Sequence, residues 1–169
     1  SATVLPPSLS DIAGFNLGRT GLDDGGLKPF LVDDIYAVFI RNLQSDRSQR
    51  KFFKEFYLVS LDDVQRSGSQ DDLYRVFKEK FSIKVVNKNQ PERYSIIFEH
   101  YRPELASAWA KQYIDQVAER SLDEMLLNAD RELAVRARNI QQQIRSERDS
   151  AKVLREDRTV QLQEALTVA

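Results

Sequence analysis

The spacing of hydrophobic positions changes several times along the chain, and each change marks an element. Residues 1–5 form a short β-type run that ends at Pro6-Pro7, and proline at a strand's end fits an edge position. Residues 8–30 have no period. Five glycines lie between Gly14 and Gly26 among Ile12, Phe15, Leu17 and Leu22, which reads as an irregular loop pinned by its apolar residues.

Helical spacing then takes over. Asp33-Asp34 suit a helix N-terminus, and Ile35, Val38, Phe39 and Leu43 follow on one face. A second short helix opens at Ser45 or Ser48 and carries Phe52, Phe53, Phe56 and Tyr57. A third follows the Ser67-Gly68-Ser69 turn. There Ser69, with Asp72 three residues on, resembles a capping box, and the buried stripe is Leu73, Val76, Phe77 and Phe81. The period next falls to two. Ile83 and Val85 alternate with Lys84, and Tyr94, Ile96 and Phe98 share one face of a second run that ends near Tyr101. The polar stretch between them, Asn87 to Pro91, predicts an antiparallel hairpin.

From Pro103 to Ala169 there is no glycine and no further proline, and strong helix formers dominate. Pro103 sits where a helix tolerates proline, in its first turn. An unbroken helix of this length would reach roughly 100 Å, whereas a compact domain of the whole chain would have a radius of gyration of about 15 Å. The helix is therefore expected to divide its work. Leu105, Trp109, Tyr113, Ile114, Val117 and Leu122 form a wide apolar face able to close a core. Beyond about Ala129 the stripe narrows to Leu133, Ala137, Ile140, Ile144, Ala151, Leu154 and Leu162 between mixed charges. The 4-3 spacing from Leu133 to Ile144 is coiled-coil-like and degrades at Glu147 and Arg158.

The expectation is an α+β fold. Residues 1–102 make a small base of short strands, an antiparallel hairpin and several short helices; residues 103–169 make one very long projecting helix. A narrow apolar seam between charged faces needs a partner, either the remainder of the chain or neighbouring copies, and Leu133, Ala137, Ile140, Ile144, Ala151 and Leu154 are the candidate oligomer-contact residues.

Composition narrows the function. Lys and Arg number 25 against 26 Asp and Glu, a net charge of −1, so the basic excess of a dedicated nucleic-acid binder is missing. With no cysteine, neither a disulfide framework nor thiol chemistry is open to this chain. No apolar run reaches the length of a bilayer span. The chain begins Ser1-Ala2 and stops within a helical pattern, so both ends read as cut and an excised fragment is expected.

Chemistry finds little purchase. The glycine cluster matches neither G-x-G-x-x-G nor G-x-x-x-x-G-K-[ST]. His100 is the single histidine, with no second histidine or cysteine to complete a metal site or a nucleophile–base pair. The pairs Asp33-Asp34, Asp62-Asp63 and Asp71-Asp72 lie near helix starts, where capping and the helix dipole account for them. Asp23-Asp24 and Glu156-Asp157 read as solvated surface. No catalytic residue, cofactor or metal site is expected.

Two stretches carry a resemblance. Pro7-Ser-Leu-Ser-Asp-Ile-Ala-Gly-Phe-Asn16 after a first strand, and Arg158-Thr-Val-Gln-Leu-Gln-Glu-Ala-Leu166 in the long helix, resemble the periplasmic domain of the Wzz-type chain-length determinants, the polysaccharide co-polymerases of Gram-negative bacteria. The element order between them agrees. The resemblance implies a non-enzymatic protein of the bacterial inner membrane, anchored by helices flanking a periplasmic domain. Its α/β base sits near the membrane, and ring-like homo-oligomers set O-antigen chain length on lipopolysaccharide together with a Wzy-type polymerase. Whether the growing polysaccharide is itself bound stays open. Two alternatives remain: the periplasmic part of a capsule or exopolysaccharide co-polymerase, and a coiled-coil scaffold or adaptor with a small α+β head.

Overall fold

The computed structural model describes residues 1–19, 21 and 27–168. Leu22, the Asp23-Asp24 pair, Gly25, Gly26 and Ala169 lie outside the described residues. The chain divides into two compact units, Ser1–Asp123 and Glu124–Ala169.

The first unit is the α+β part. Strand β1 (Ala2–Val4) is followed by a 3-10 turn at Ala13–Asn16 and by helix α1 (Val32–Gln44). Helix α2 (Asp46–Phe52) runs on through a π-helical stretch, Phe53–Tyr57, into the single turn α3 (Leu58–Ser60). Helix α4 (Gln70–Lys80) leads directly into β2 (Phe81–Asn87), which turns into β3 (Gln90–Phe98). Helix α5 spans Pro103–Val168, and its residues as far as Asp123 belong to this unit.

The helix starts follow local chemistry. Ser69 is the N-cap of α4: its hydroxyl accepts the Asp72 N–H at 3.1 Å and donates to the Asp72 carboxylate at 2.7 Å. Gly68 precedes it at φ +141°, a conformation that side-chain-bearing residues rarely adopt. At α1 the cap position is Leu31, whose side chain cannot accept a hydrogen bond. Asp33 and Asp34 sit one turn inside, and the Asp34 carboxylate accepts the Leu31 N–H at 3.4 Å. The two acids thus complement the helix dipole from within the first turn.

The three strands form an antiparallel sheet in the order β1-β3-β2, which makes β1 an edge as expected. Register sets the core face. Ala2 opposes Ile96 and Val4 opposes Tyr94 on one side of β3, while Phe81, Ile83 and Val85 oppose Phe98, Ile96 and Tyr94 on the other. The alternation read from the sequence therefore places Tyr94, Ile96 and Phe98 toward the helices. The hairpin is tighter than expected, since Pro91 lies within β3.

The core is aromatic. Phe52, Phe53, Tyr57, Tyr74, Phe77, Phe81, Phe98, Trp109 and Tyr113 are all buried, and the Phe77 ring lies near those of Phe52, Phe53, Tyr57, Tyr74, Phe81 and Phe98. Helix α5 closes it with Ala106, Trp109, Ala110, Tyr113 and Val117, a stripe at helical spacing. Two expected core positions differ. Val76 is 37% exposed and Leu122 is 42% exposed. Tyr74 takes the inward place on α4, and Ser121 is buried beside Leu122 because it meets a polar partner, the Asn42 side-chain amide, at 3.1 Å.

The loop before α1 also differs in what holds it. Of its apolar residues Ile12 is buried, while Leu17 is exposed. The closure is polar: the Asn16 side chain accepts the Phe30 N–H at 2.7 Å and donates to the Phe30 carbonyl at 3.0 Å.

Candidate functional site

The six candidate contact residues all lie in the second unit, Glu124–Ala169. They share one helix, so their placement follows from its turn of about 100° per residue. Leu133, Ile140 and Ala151 fall along one line, with Ala137 and Ile144 to one side and Leu154 to the other. Leu133 and Ile140 are each 48% exposed, Ile144 is 43% exposed and Leu154 69% exposed. Ala137 is exposed and Ala151 half-buried. The helix thus carries an exposed aliphatic stripe, interrupted at Glu147 and Arg158 and flanked by charged side chains. Val135, Val153 and Val160 are exposed too and lie on the opposite side, too widely spaced to form a second stripe.

Charged groups in this unit pair along the helix. Lys152 lies 3.8 Å from Glu156, and Gln143 donates to Glu147 at 3.2 Å. Such i,i+4 contacts each contribute a few tenths of a kcal/mol and keep an exposed helix in its conformation. They leave the stripe itself apolar.

The first unit carries a different feature, a cleft of about 760 Å³ between α3, α4, the turn that follows β3 and the start of α5. Its floor includes Tyr57, Leu73, Leu105 and Trp109, and Lys80, Glu99 and Arg102 stand at its edge. The sequence reading missed it, because its walls come from four separate elements. His100 lies here. Its Nδ1 accepts the Arg102 N–H at 3.1 Å, its ring stacks on Tyr101 at 4.3 Å, and it meets the edge of Trp109 at 5.1 Å. The histidine closes the turn from β3 into α5, with one ring nitrogen occupied by backbone.

The acid pairs occupy structural places. Asp62 accepts the Gln65 N–H at 2.7 Å, and Asp72 belongs to the α4 cap. Asp46 is more constrained: it accepts from the Tyr74 hydroxyl at 2.7 Å and from Arg50 Nε at 2.7 Å. These hydrogen bonds, that of Tyr74 foremost, hold its carboxyl below the usual carboxylate range. Burial, with the Asp46 bond second, pushes the Tyr74 hydroxyl up, so it remains a donor. Burial likewise raises Tyr113, whose hydroxyl donates to the Leu43 carbonyl at 2.6 Å. Both phenols are fixed as hydrogen-bond donors inside a folded core. Among the described residues no group of three or more His, Asp or Glu side chains is gathered closely enough to hold a metal ion, and no helix is long and apolar enough to cross a membrane.

No protein-family model matches the chain, and no curated protein sequence matches it.

Proposed function

We propose that this chain is the periplasmic part of a non-enzymatic regulator of O-antigen polysaccharide chain length, which assembles as a ring-like homo-oligomer at the bacterial inner membrane beside a Wzy-type polymerase. The observation that carries the reading is the second unit: a long helix with an apolar stripe that its own unit leaves uncovered. Most helical stability in proteins comes from packing an apolar face rather than from propensity alone. A stripe of this length therefore argues for a partner, and identical neighbours are the economical choice in an oligomer. The order strand, helices, hairpin, long helix and the two stretches Pro7–Asn16 and Arg158–Leu166 support the polysaccharide assignment. In this reading the helix acts as a strut for assembly, and the polymerase carries the chemistry.

Two measurements test it. Lipopolysaccharide from a strain lacking the gene is expected to lose its modal cluster of chain lengths on a gel; an unchanged ladder sinks the assignment. The full-length protein extracted from membranes is expected to show an oligomeric mass, and a strict monomer sinks the ring.

A further inference from the structure

The floor of the first unit's cleft holds two hydrogen-bond donors that the fold leaves unused. Tyr57 is 4% exposed and Trp109 7% exposed, and both line the cleft. Tyr74 and Tyr113, similarly buried, each donate to a protein oxygen. Among the described residues, neither the Tyr57 hydroxyl nor the Trp109 indole N–H has such a partner, and neither atom is sealed from solvent. Buried donors in folded proteins nearly always find an acceptor. The two rings lie 5.5 Å apart, centre to centre, which brings both donors to one part of the floor. The backbone beneath them is uncommon too: Tyr57 ends the π-helical stretch Phe53–Tyr57, and single π-helical turns recur at functional sites.

The rest of the wall defines the acceptor. Leu73 and Leu105 extend the apolar floor, and Lys80 and Arg102 stand exposed at its edge. Neither cation is paired with an acid among the described residues. Acceptors are scarce in comparison. The Gln65 side-chain oxygen already takes the Asp62 N–H at 3.3 Å, and Glu99 is the wall's one carboxylate. A polyol, which brings donors and acceptors in equal number, is poorly matched to such a lining. An anion with an apolar body is matched on both counts, and its charge strengthens each hydrogen bond it accepts. The volume of about 760 Å³ falls within the range of small-molecule sites, about 300–1,000 Å³.

We propose that this cleft binds a small organic carboxylate whose apolar body is a single ring, the carboxylate accepting from Tyr57 and Trp109 and facing Lys80 and Arg102. The site lies wholly within the first unit, so it stands or falls apart from the assembly reading.

The chain's single tryptophan supplies the probe, because it gives one indole N–H cross-peak in a nitrogen-15 NMR spectrum. Titrating the 169-residue chain with cyclohexanecarboxylate is expected to move that peak downfield to a saturating limit. Acetate lacks the apolar body, cyclohexanecarboxamide the charge and glucose both. Each is expected to bind about tenfold more weakly or worse, the order of one charge-assisted hydrogen bond or one buried ring. No saturable shift with cyclohexanecarboxylate, or a comparable affinity for any of the other three, overturns the proposal. Tyr57→Phe keeps the ring and deletes the hydroxyl. Since that hydroxyl has no protein partner, the urea midpoint is expected to hold while affinity falls about tenfold; an unchanged affinity overturns the proposal. Lys80→Gln with Arg102→Gln alters only exposed side chains. It is expected to weaken binding several-fold and to flatten its salt dependence. Should Tyr57→Phe fail to fold, this second variant decides alone, and an affinity equal to the wild type's overturns the assignment.

Discussion

Between Phe52 and Tyr113 the first unit crowds nine buried aromatic rings onto a three-stranded sheet, whereas no aromatic residue follows Tyr113 in the entire chain. The second unit is built from aliphatic, small and charged side chains on a single helix. The contrast separates two ways of specifying structure. Interlocking rings have few alternative packings, so they define one core and complete it internally. A stripe of Leu, Ile and Ala on one helix face defines only a direction, and its energy is realised when something covers it. The first unit contains its own partners; the second presents a surface.

Mutations can break this contrast, and the largest effect is expected at its aromatic centre. Phe77→Ala empties a fully buried site ringed by other aromatics, and a loss of about 3–5 kcal/mol is expected in urea unfolding of the first unit. Tyr113→Phe removes a buried donor to the Leu43 carbonyl and is expected to cost about 1–3 kcal/mol in the same experiment. Ser69→Ala deletes the α4 cap, for which about 1 kcal/mol is expected.

A smaller effect concerns acid. The Asp46 carboxyl is held below the ordinary range in the folded state, so its contribution is present above the ordinary aspartate range. It is lost as pH falls through the depressed folded value. The side chain is largely exposed, and solvent screening keeps the gain under about 1 kcal/mol. Asp46→Asn is thus expected to be slightly less stable than the wild type near neutrality, and the two urea midpoints should converge in strong acid. The least effect on the core is expected from Ile140→Asp with Ile144→Asp. First-unit unfolding should be unchanged while oligomeric mass and chain-length control are weakened. A lowered unfolding midpoint would place the stripe within the core's own cooperativity and erase the distinction between the units.

Much of the first unit was legible in the sequence because its signals are local. Ser69 and Asp72, the alternation of Tyr94, Ile96 and Phe98, and the glycine-free run after Pro103 each depend on neighbours within one element. The errors arose where burial is decided by a distant partner. Leu122 was read inward by its hydrophobicity, yet Ser121 is buried because Asn42, from α1, meets it. Val76 was read inward over Tyr74, yet the Tyr74 hydroxyl finds Asp46 on α2 while its ring packs on Phe53 and Phe77. Buried tyrosine and serine follow their hydrogen-bond partners, and no periodicity announces those. The stripe was legible for the opposite reason: all its residues lie on one helix, so spacing alone places them. The cleft around His100 was not, since α3, α4, the turn after β3 and α5 each supply only a part of its wall.

Trp109 is the chain's single tryptophan, and it is buried with its ring edge-on to Tyr57, Phe98 and His100. Excited at the red edge of indole absorption, the protein therefore emits from one place only, inside the first unit. A red shift on denaturation reports the opening of that core and nothing else. The second unit is optically dark, so a fluorophore on an introduced cysteine there adds a second, spectrally separate channel. The two can then be followed in one cuvette.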